Sequence, residues 1–455
     1  MASGARRKRI VGEASDLPKR KPREPSKSHS ILDICGERRG ARKKQNFPRH
    51  FVISFSIVRI SEMIQRDYLI IGAGIGGASV CEGIRQYDKK GSATLVGSET
   101  FYPYQRWTLS KQYLREKNPV LKKLANLDER WFQSHKIETR FGTVVTQFNI
   151  DRRLAVLGNG ETIEFKKAAL AMGSRPVRPP VAGIGLGNVI YLRTIRDAQA
   201  LREMSQSEKT IVVVGGGLLA CEAAASLRQS KLKVAIMHRH QTLMNRYLDS
   251  ATSTWLTEQF AKHGVTLLMG ASLNGFEGKT VLRNIQTKSG ERVPAGVAVV
   301  ACGSEPNLEI VRNTPLSGPH GSPVSDYLET EEKGIYAVGD IAFYPDRLMG
   351  GMRRQTHWDN AREQGLIVGA NITGKKRQRY EQIPYFWTEM FDHRFEFIGD
   401  FNLPPGRVEL TGTYAKGRFA LRYYQGDRLR GVVLCHHEPK EVQAAKNELR
   451  HALGK

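Results

Sequence analysis

Two stretches of the chain repeat one pattern of apolar and polar positions. In residues 67–99 the apolar run 68–71 enters a glycine-rich turn, then a helical stretch, then a second apolar run, 93–96. In residues 210–239 the run 211–214 passes through another glycine-rich turn and helix into 232–237. Short uninterrupted apolar runs of this kind read as strands of a parallel sheet covered on both faces. Their alternation with helices predicts βαβ units, and the repetition predicts an internal duplication of a nucleotide-binding unit. Beyond about Tyr380 the texture changes to alternating strands over 406–424 and a polar helix near 440–453, which predicts a separate α+β module. Residues 1–50, rich in Arg, Lys, Pro and Ser, carry neither period and read as disordered.

Composition sharpens this picture. The chain has 455 residues, enough for about three domains. Its formal net charge is +25; residues 1–62 hold 16 Lys/Arg against 6 Asp/Glu, leaving +15 on the remainder. Such a balance favours an acidic partner: an acidic protein, nucleic acid or an anionic surface. The basic runs at 6–9 and 19–23 suit nuclear import or nucleic-acid contact, or else belong to a solvated extension upstream of a start at Met63. Acidic residues interrupt the tail, which counts against a mitochondrial presequence, and the polar residues after the first basic run do not fit a secretory leader. The longest clean apolar runs, such as 51–58, fall far short of the roughly 20 residues of a membrane helix. Five scattered cysteines form no CxxC pair, which argues against a disulfide scaffold, a zinc site and a dithiol redox centre, and suits a reducing, cytoplasmic setting.

The glycine turns carry the candidate chemistry. GAGIGG places Gly72, Gly74 and Gly77 in a GxGxxG pattern, and Glu99 stands after the next strand, where an acid holds a ribose diol. GGGLLA places Gly215, Gly217 and Ala220 in GxGxxA. There the following strand ends in His238, Arg239 and His240, with no carboxylate. A cationic strand end suits the 2′-phosphate of NADPH, with Arg246 a further contributor; alternatively these are solvated cations and either nicotinamide cofactor serves.

With GIYAVGD at 334–340, AMGSRP at 171–176 and ACGSEPN at 301–307, the chain resembles the FAD-dependent pyridine nucleotide-disulfide oxidoreductase superfamily, from about Met63 to the C-terminus. The resemblance implies two Rossmann-like domains, for FAD (63–176 and 304–375) and for NAD(P) (177–303), and a reductase-type C-terminal α+β domain (376–455). It implies that Gly339 and Asp340 hold FAD, and that Gly173 and Gly303 lie at the crossings between domains. PYQRWTLSK (103–111), THWDNAREQG (356–365) and PYFWTEMFD (384–392) resemble segments of ferredoxin, rubredoxin and putidaredoxin reductases and apoptosis-inducing-factor-like proteins. Trp107 stands where a proline is usual, and Thr356 where a glutamate is. The same resemblance puts Arg106 and Lys111 at the flavin, Lys111 in the place of the redox cysteine of NADH peroxidases. It makes Trp358 and Trp387 aromatic neighbours of the flavin, and Glu222 a neighbour of the nicotinamide.

The implied activity is transfer of electrons from NADPH or NADH through FAD to a one-electron iron–sulfur carrier. Lys111, Glu222 and Trp358 are the candidate catalytic residues, no metal is called for, and an acidic ferredoxin-type protein is the expected partner. Two alternatives stand beside this: a reductase of quinone, monodehydroascorbate or oxygen, and an apoptosis-inducing-factor-like flavoprotein that binds nucleic acid through its basic tail.

Overall fold

The computed structural model describes residues 63–208, 210–401 and 406–454. The expected disordered tail over 1–62, with its basic runs, the apolar run 51–58 and Cys35, lies outside the described residues. Among the described residues no helix is long and apolar enough to cross a membrane.

The fold is α/β with two Rossmann-like units. The first is built on β1 (Ile64–Ile71), α1 (Ile75–Tyr87), β2 (Ala93–Gly97), β3 (Ile137–Phe141), β4 (Val145–Asn149), β5 (Leu154–Leu157) and β6 (Thr162–Leu170). Its sheet runs β3-β2-β1-β6-β5-β4, and the strand Ile335–Ala337 returns to pair with β6. The central strands are parallel, with Ile71 opposite both Val96 and Leu170. The last four residues of β1 are all buried, as strands covered on both faces require.

The second unit repeats the plan with β7 (Val189–Ile190), α2 (Ile195–Ser207), β8 (Thr210–Val214), α3 (Leu218–Gln229), β9 (Lys233–His238), α4 (Ser250–Lys262), β10 (Thr266–Met269) and β11 (Val297–Val300). Its all-parallel order is β10-β9-β8-β11-β7. After α5 (Trp358–Thr373), the chain closes with five antiparallel strands: β12 (Tyr385–Met390), β13 (His393–Gly399), β14 (Arg407–Thr413), β15 (Arg418–Gln425) and β16 (Arg428–Cys435). They pair in the order β12-β13-β16-β15-β14. The amphipathic helix α6 (Pro439–Ala452) lays Val442, Ala445 and Leu449 on this sheet. On the sheet's other side, Phe386, Phe395 and Phe397 share one core with Ile211, Leu256 and Phe260 of the second unit.

In the first unit, glycines bring two helices into backbone contact. A Cβ added to Gly369 of α5 would lie 2.5 Å from the Cα of Gly83 in α1 and 2.6 Å from the Val80 carbonyl oxygen. One added to Gly365 would lie 2.5 Å from the Gly76 oxygen. This crossing fixes the start of α5, and with it Trp358, beside the first glycine turn. Overpacking of a tight contact costs about 1–3 kcal/mol. Gly369→Val is therefore expected to lower unfolding stability by at least about that amount in urea denaturation of the flavin-loaded protein.

Candidate active site

The two glycine turns have the same construction. Gly72 has φ +112°, and a Cβ there would stand 2.2 Å from the Ala171 carbonyl oxygen; Gly215 has φ +134° and a Cβ would stand 2.4 Å from that of Ala301. Both conformations exclude side chains. Gly77 and Ala220, one turn on, are buried and pack their helices onto the strands. Gly74 and Gly217, the residues that precede α1 and α3, have nothing within 4 Å of a Cβ position. Neither helix has a capping side chain or an acid in its first turn. Two helix N-termini whose first N–H groups are unclaimed among the described residues therefore open on the same cavity, of about 1920 Å³, as anionic phosphates require.

Around the first turn, Glu99 lies beyond β2 and accepts hydrogen bonds from the Tyr104 hydroxyl and Arg106, both at 2.8 Å. Arg106 also donates to the Arg193 carbonyl oxygen at 2.7 Å. Asp340, just past the strand Ile335–Ala337, accepts from the Ser174 hydroxyl at 2.5 Å and from Arg193 at 2.9 Å. Gly339 donates its N–H to Gln364 at 2.7 Å and has φ +72°. Gly173 and Gly303 stand at the two crossings between units, where Ser174–Pro176 pairs antiparallel with Ser304–Pro306, and both line the cavity.

Around the second turn, Arg239 and His240 are exposed and line the cavity with Arg246. Arg239 Nε donates to His240 Nε2 at 3.1 Å. His238 sits over Gly216, where a Cβ would come within 2.4 Å of its ring; burial, and secondarily the adjacent His240 and Arg239, lower its pKa. No carboxylate lies between His238 and Arg246.

The cavity wall also holds a buried ion pair. Lys111 Nζ lies 2.7 Å from Glu222 of α3. Glu222 further accepts from Ser110 at 2.5 Å and from Thr388 of β12 at 2.6 Å. The Lys111 ammonium sits 5.1 Å from the centre of the Trp387 ring, which meets Trp107 edge-on at 5.0 Å. Trp107, standing where a proline is usual, thus supports Trp387. Trp358, at the start of α5, lines the cavity, and its indole Nε1 is buried without a partner among the described residues. His357 stacks on Phe386 at 4.2 Å, nearly parallel.

The fold thus brings together around one cavity Lys111, Glu222, Trp358, Trp387, Glu99, Arg106, Asp340, Arg239 and His240, with the glycines of both turns. Gly77 and Ala220 stand behind it as packing positions. Sequence reasoning did not single out Ser110, Ser174, Arg193, His357 or Thr388. Ser110, Ser174, His357 and Thr388 lie inside motif segments, but their partners come from other parts of the chain; Arg193 carries no motif at all.

The sequence profile of the pyridine nucleotide-disulphide oxidoreductase family matches residues 66–365. The ferredoxin reductase component of chlorobenzene dioxygenase from Cupriavidus sp. (strain PS12) is 34% identical over 367 residues, 80% of this chain and 88% of the relative. Rhodocoxin reductase of Rhodococcus erythropolis is 31% identical over 386 residues, 84% of this chain and 88% of its own. Among solved structures, the covalent complex of putidaredoxin reductase with putidaredoxin superposes with a TM-score of 0.80 at 28% identity, covering 85% of this chain and 93% of that one.

The desolvation of half-buried His357 gives a pH dependence. Its pKa falls to about 4, chiefly through desolvation; Asp340 opposes the shift and Lys111 adds to it. An unfolded histidine titrates near 6.5. Above that pH neither state is protonated. As pH falls from about 6.5 to about 4, the unfolded chain takes up a proton that the folded one refuses, and stability is lost over that window. His357→Phe, which keeps the stacking, is expected to lose less stability than wild type between neutral pH and about 4.5 in urea denaturation.

Proposed function

The chain belongs to this oxidoreductase family, and we propose that within it the protein is an NAD(P)H-dependent reductase that binds FAD on the first glycine turn and the nicotinamide nucleotide on the second. Electrons then leave to an acidic iron–sulfur carrier of the ferredoxin type. The observation that carries this reading is the pair of uncapped, glycine-lined helix N-termini opening on one cavity with Trp358, Trp387 and the Lys111–Glu222 pair.

When bound, FAD supplies a centre that accepts hydride as a two-electron unit and releases single electrons. The chain's own residues do the positioning. Gly72, Gly74 and the start of α1 receive the pyrophosphate, and Glu99, held by Arg106 and Tyr104, takes the ribose hydroxyls. Asp340, supported by Ser174 and Arg193, serves the ribitol end, where Gly173, Gly303 and Gly339 let the backbone approach closely. Trp358 and Trp387 exclude water, and the Trp358 N–H, unpartnered among the described residues, is available as a donor. Lys111, tied to Glu222, keeps a positive charge at the reacting centre, where low polarizability strengthens it. Gly215, Gly217 and the start of α3 receive the second pyrophosphate, while Ala220 packs that helix. Arg239 and His240 meet the 2′-phosphate, the reason to place NADPH ahead of NADH.

The charge and the relatives support this partner; two of the relatives are named as reductases of ferredoxin or rhodocoxin. A basic body steers an acidic carrier, and salt weakens that encounter.

The test is anaerobic bleaching of the bound flavin by NADPH and NADH compared side by side. Both nucleotides are expected to bleach it, NADPH faster. Arg239→Glu is expected to lower kcat/KM for NADPH at least about tenfold, roughly 1.4 kcal/mol, and to spare NADH. An unchanged ratio would remove the phosphate site. Little bleaching by either nucleotide would remove the reductase.

A further inference from the structure

Away from the cavity, at one end of the C-terminal sheet, three metal-ligating side chains converge. His393 opens β13 and Cys435 ends β16; His436 follows. The pairing explains why they meet. Phe395 stands opposite Cys435 in the antiparallel ladder, and His393, two residues before Phe395, shares its face of the sheet. His436 would ordinarily point to the opposite face. Its backbone is instead left-handed, with φ +56°, a conformation uncommon outside glycine, though histidine adopts it more readily than most residues, and one that turns its side chain back toward the other two.

One His Nδ1 or Nε2 atom from each histidine and the Cys435 Sγ all lie within 4.8 Å of one another. Tetrahedral bonds of about 2.0–2.3 Å put ligand atoms roughly 3.3–3.8 Å apart. Side-chain rotations of about 1 Å therefore close the set around an ion. The Nδ1 atom of His393 is buried with no hydrogen-bond partner among the described residues. Cys435 is buried and, among the described residues, donates to the Gly417 carbonyl oxygen, at 3.3 Å. His436 is exposed and provides the way in. Trp255 of α4 meets His393 edge-on at 5.0 Å and stacks on Tyr414 at 5.6 Å, so the site has an aromatic wall from the second Rossmann-like unit.

We propose that His393, Cys435 and His436 form a binding site for one thiophilic divalent cation of the zinc class. Two imidazoles and a thiolate are borderline-soft ligands that suit Zn²⁺, with the fourth position left to solvent. On binding, the metal–sulfur bond forms, the thiol proton passes to solvent and no electrons move. A bound ion ties the turn between β12 and β13 to the end of β16, at the place where the sheet meets α4. Cysteine spacing gives no sign of such a site, because His393 and Cys435 lie on neighbouring strands far apart in sequence.

The test uses the full-length, flavin-loaded, reduced protein without a histidine tag, titrated with Co²⁺ and then Zn²⁺. One Co²⁺ per chain is expected, with thiolate-to-cobalt charge-transfer absorption read as a difference spectrum against the flavin. Zn²⁺ is expected to displace it and to raise Tm. Cys435→Ser should abolish the charge-transfer band. His436→Asn keeps a residue that tolerates the left-handed backbone, lies on the surface, and should weaken binding at least about tenfold. Binding without thiolate absorption, equal binding in wild type and His436→Asn, or no binding at all would each overturn the site.

Discussion

One buried carboxylate joins three parts of the molecule. Glu222 lies on a helix of the second Rossmann-like unit. It accepts from Ser110 and Lys111, which belong to the segment after the first unit's β2, and from Thr388, in the C-terminal sheet. Removing a carboxylate and an ammonium from water costs several kcal/mol each, and only a close ion pair with its remaining lone pairs satisfied offsets that. Here all three contacts are met only when the three pieces are assembled. Separating the pieces would leave a buried carboxylate or ammonium without its partner, which is strongly unfavourable. The assembled arrangement puts the Lys111 ammonium against Trp387, on the wall shared by both glycine turns.

The glycine contacts between α1 and α5 set the other side of the cavity. Backbones in contact leave no room for rotation of one helix on the other, so Trp358 and His357, at the start of α5, are positioned as firmly as the glycine turn itself. His357 is then stacked on Phe386, where desolvation lowers its pKa. The cavity is framed by close packing on one side and by a buried ion pair on the other, and the helix termini that open on it at the two glycine turns carry no capping side chain.

The parts of this design that are local were legible in the sequence. A glycine with positive φ leaves its mark at one position, and apolar runs of both units appear as strands in place. The strand read at 68–71 begins earlier, at Ile64, because its first half is only partly covered and its polar residues broke the apolar run. The strand read at 232–237 is Lys233–His238, one residue later. The long-range parts were not legible. Glu222 on its own is a helix residue that reads equally well as a surface charge; only the fold supplies Ser110, 112 residues away, and Thr388. Arg193 reaches Asp340 from a segment without a motif. The convergence of His393 with Cys435 depends on strand register, and that of His436 on one left-handed residue. Neither leaves a spacing signature.

The central claim is that Glu222 holds Lys111 and the three modules in the geometry that passes electrons between the two nucleotide sites. Its most direct test is anaerobic stopped-flow reduction of Glu222→Gln by NADPH, with flavin content measured on the same sample. The expected result is retained flavin with reduction slowed at least about tenfold, roughly 1.4 kcal/mol of barrier. Retained flavin with reduction at the wild-type rate would contradict the claim.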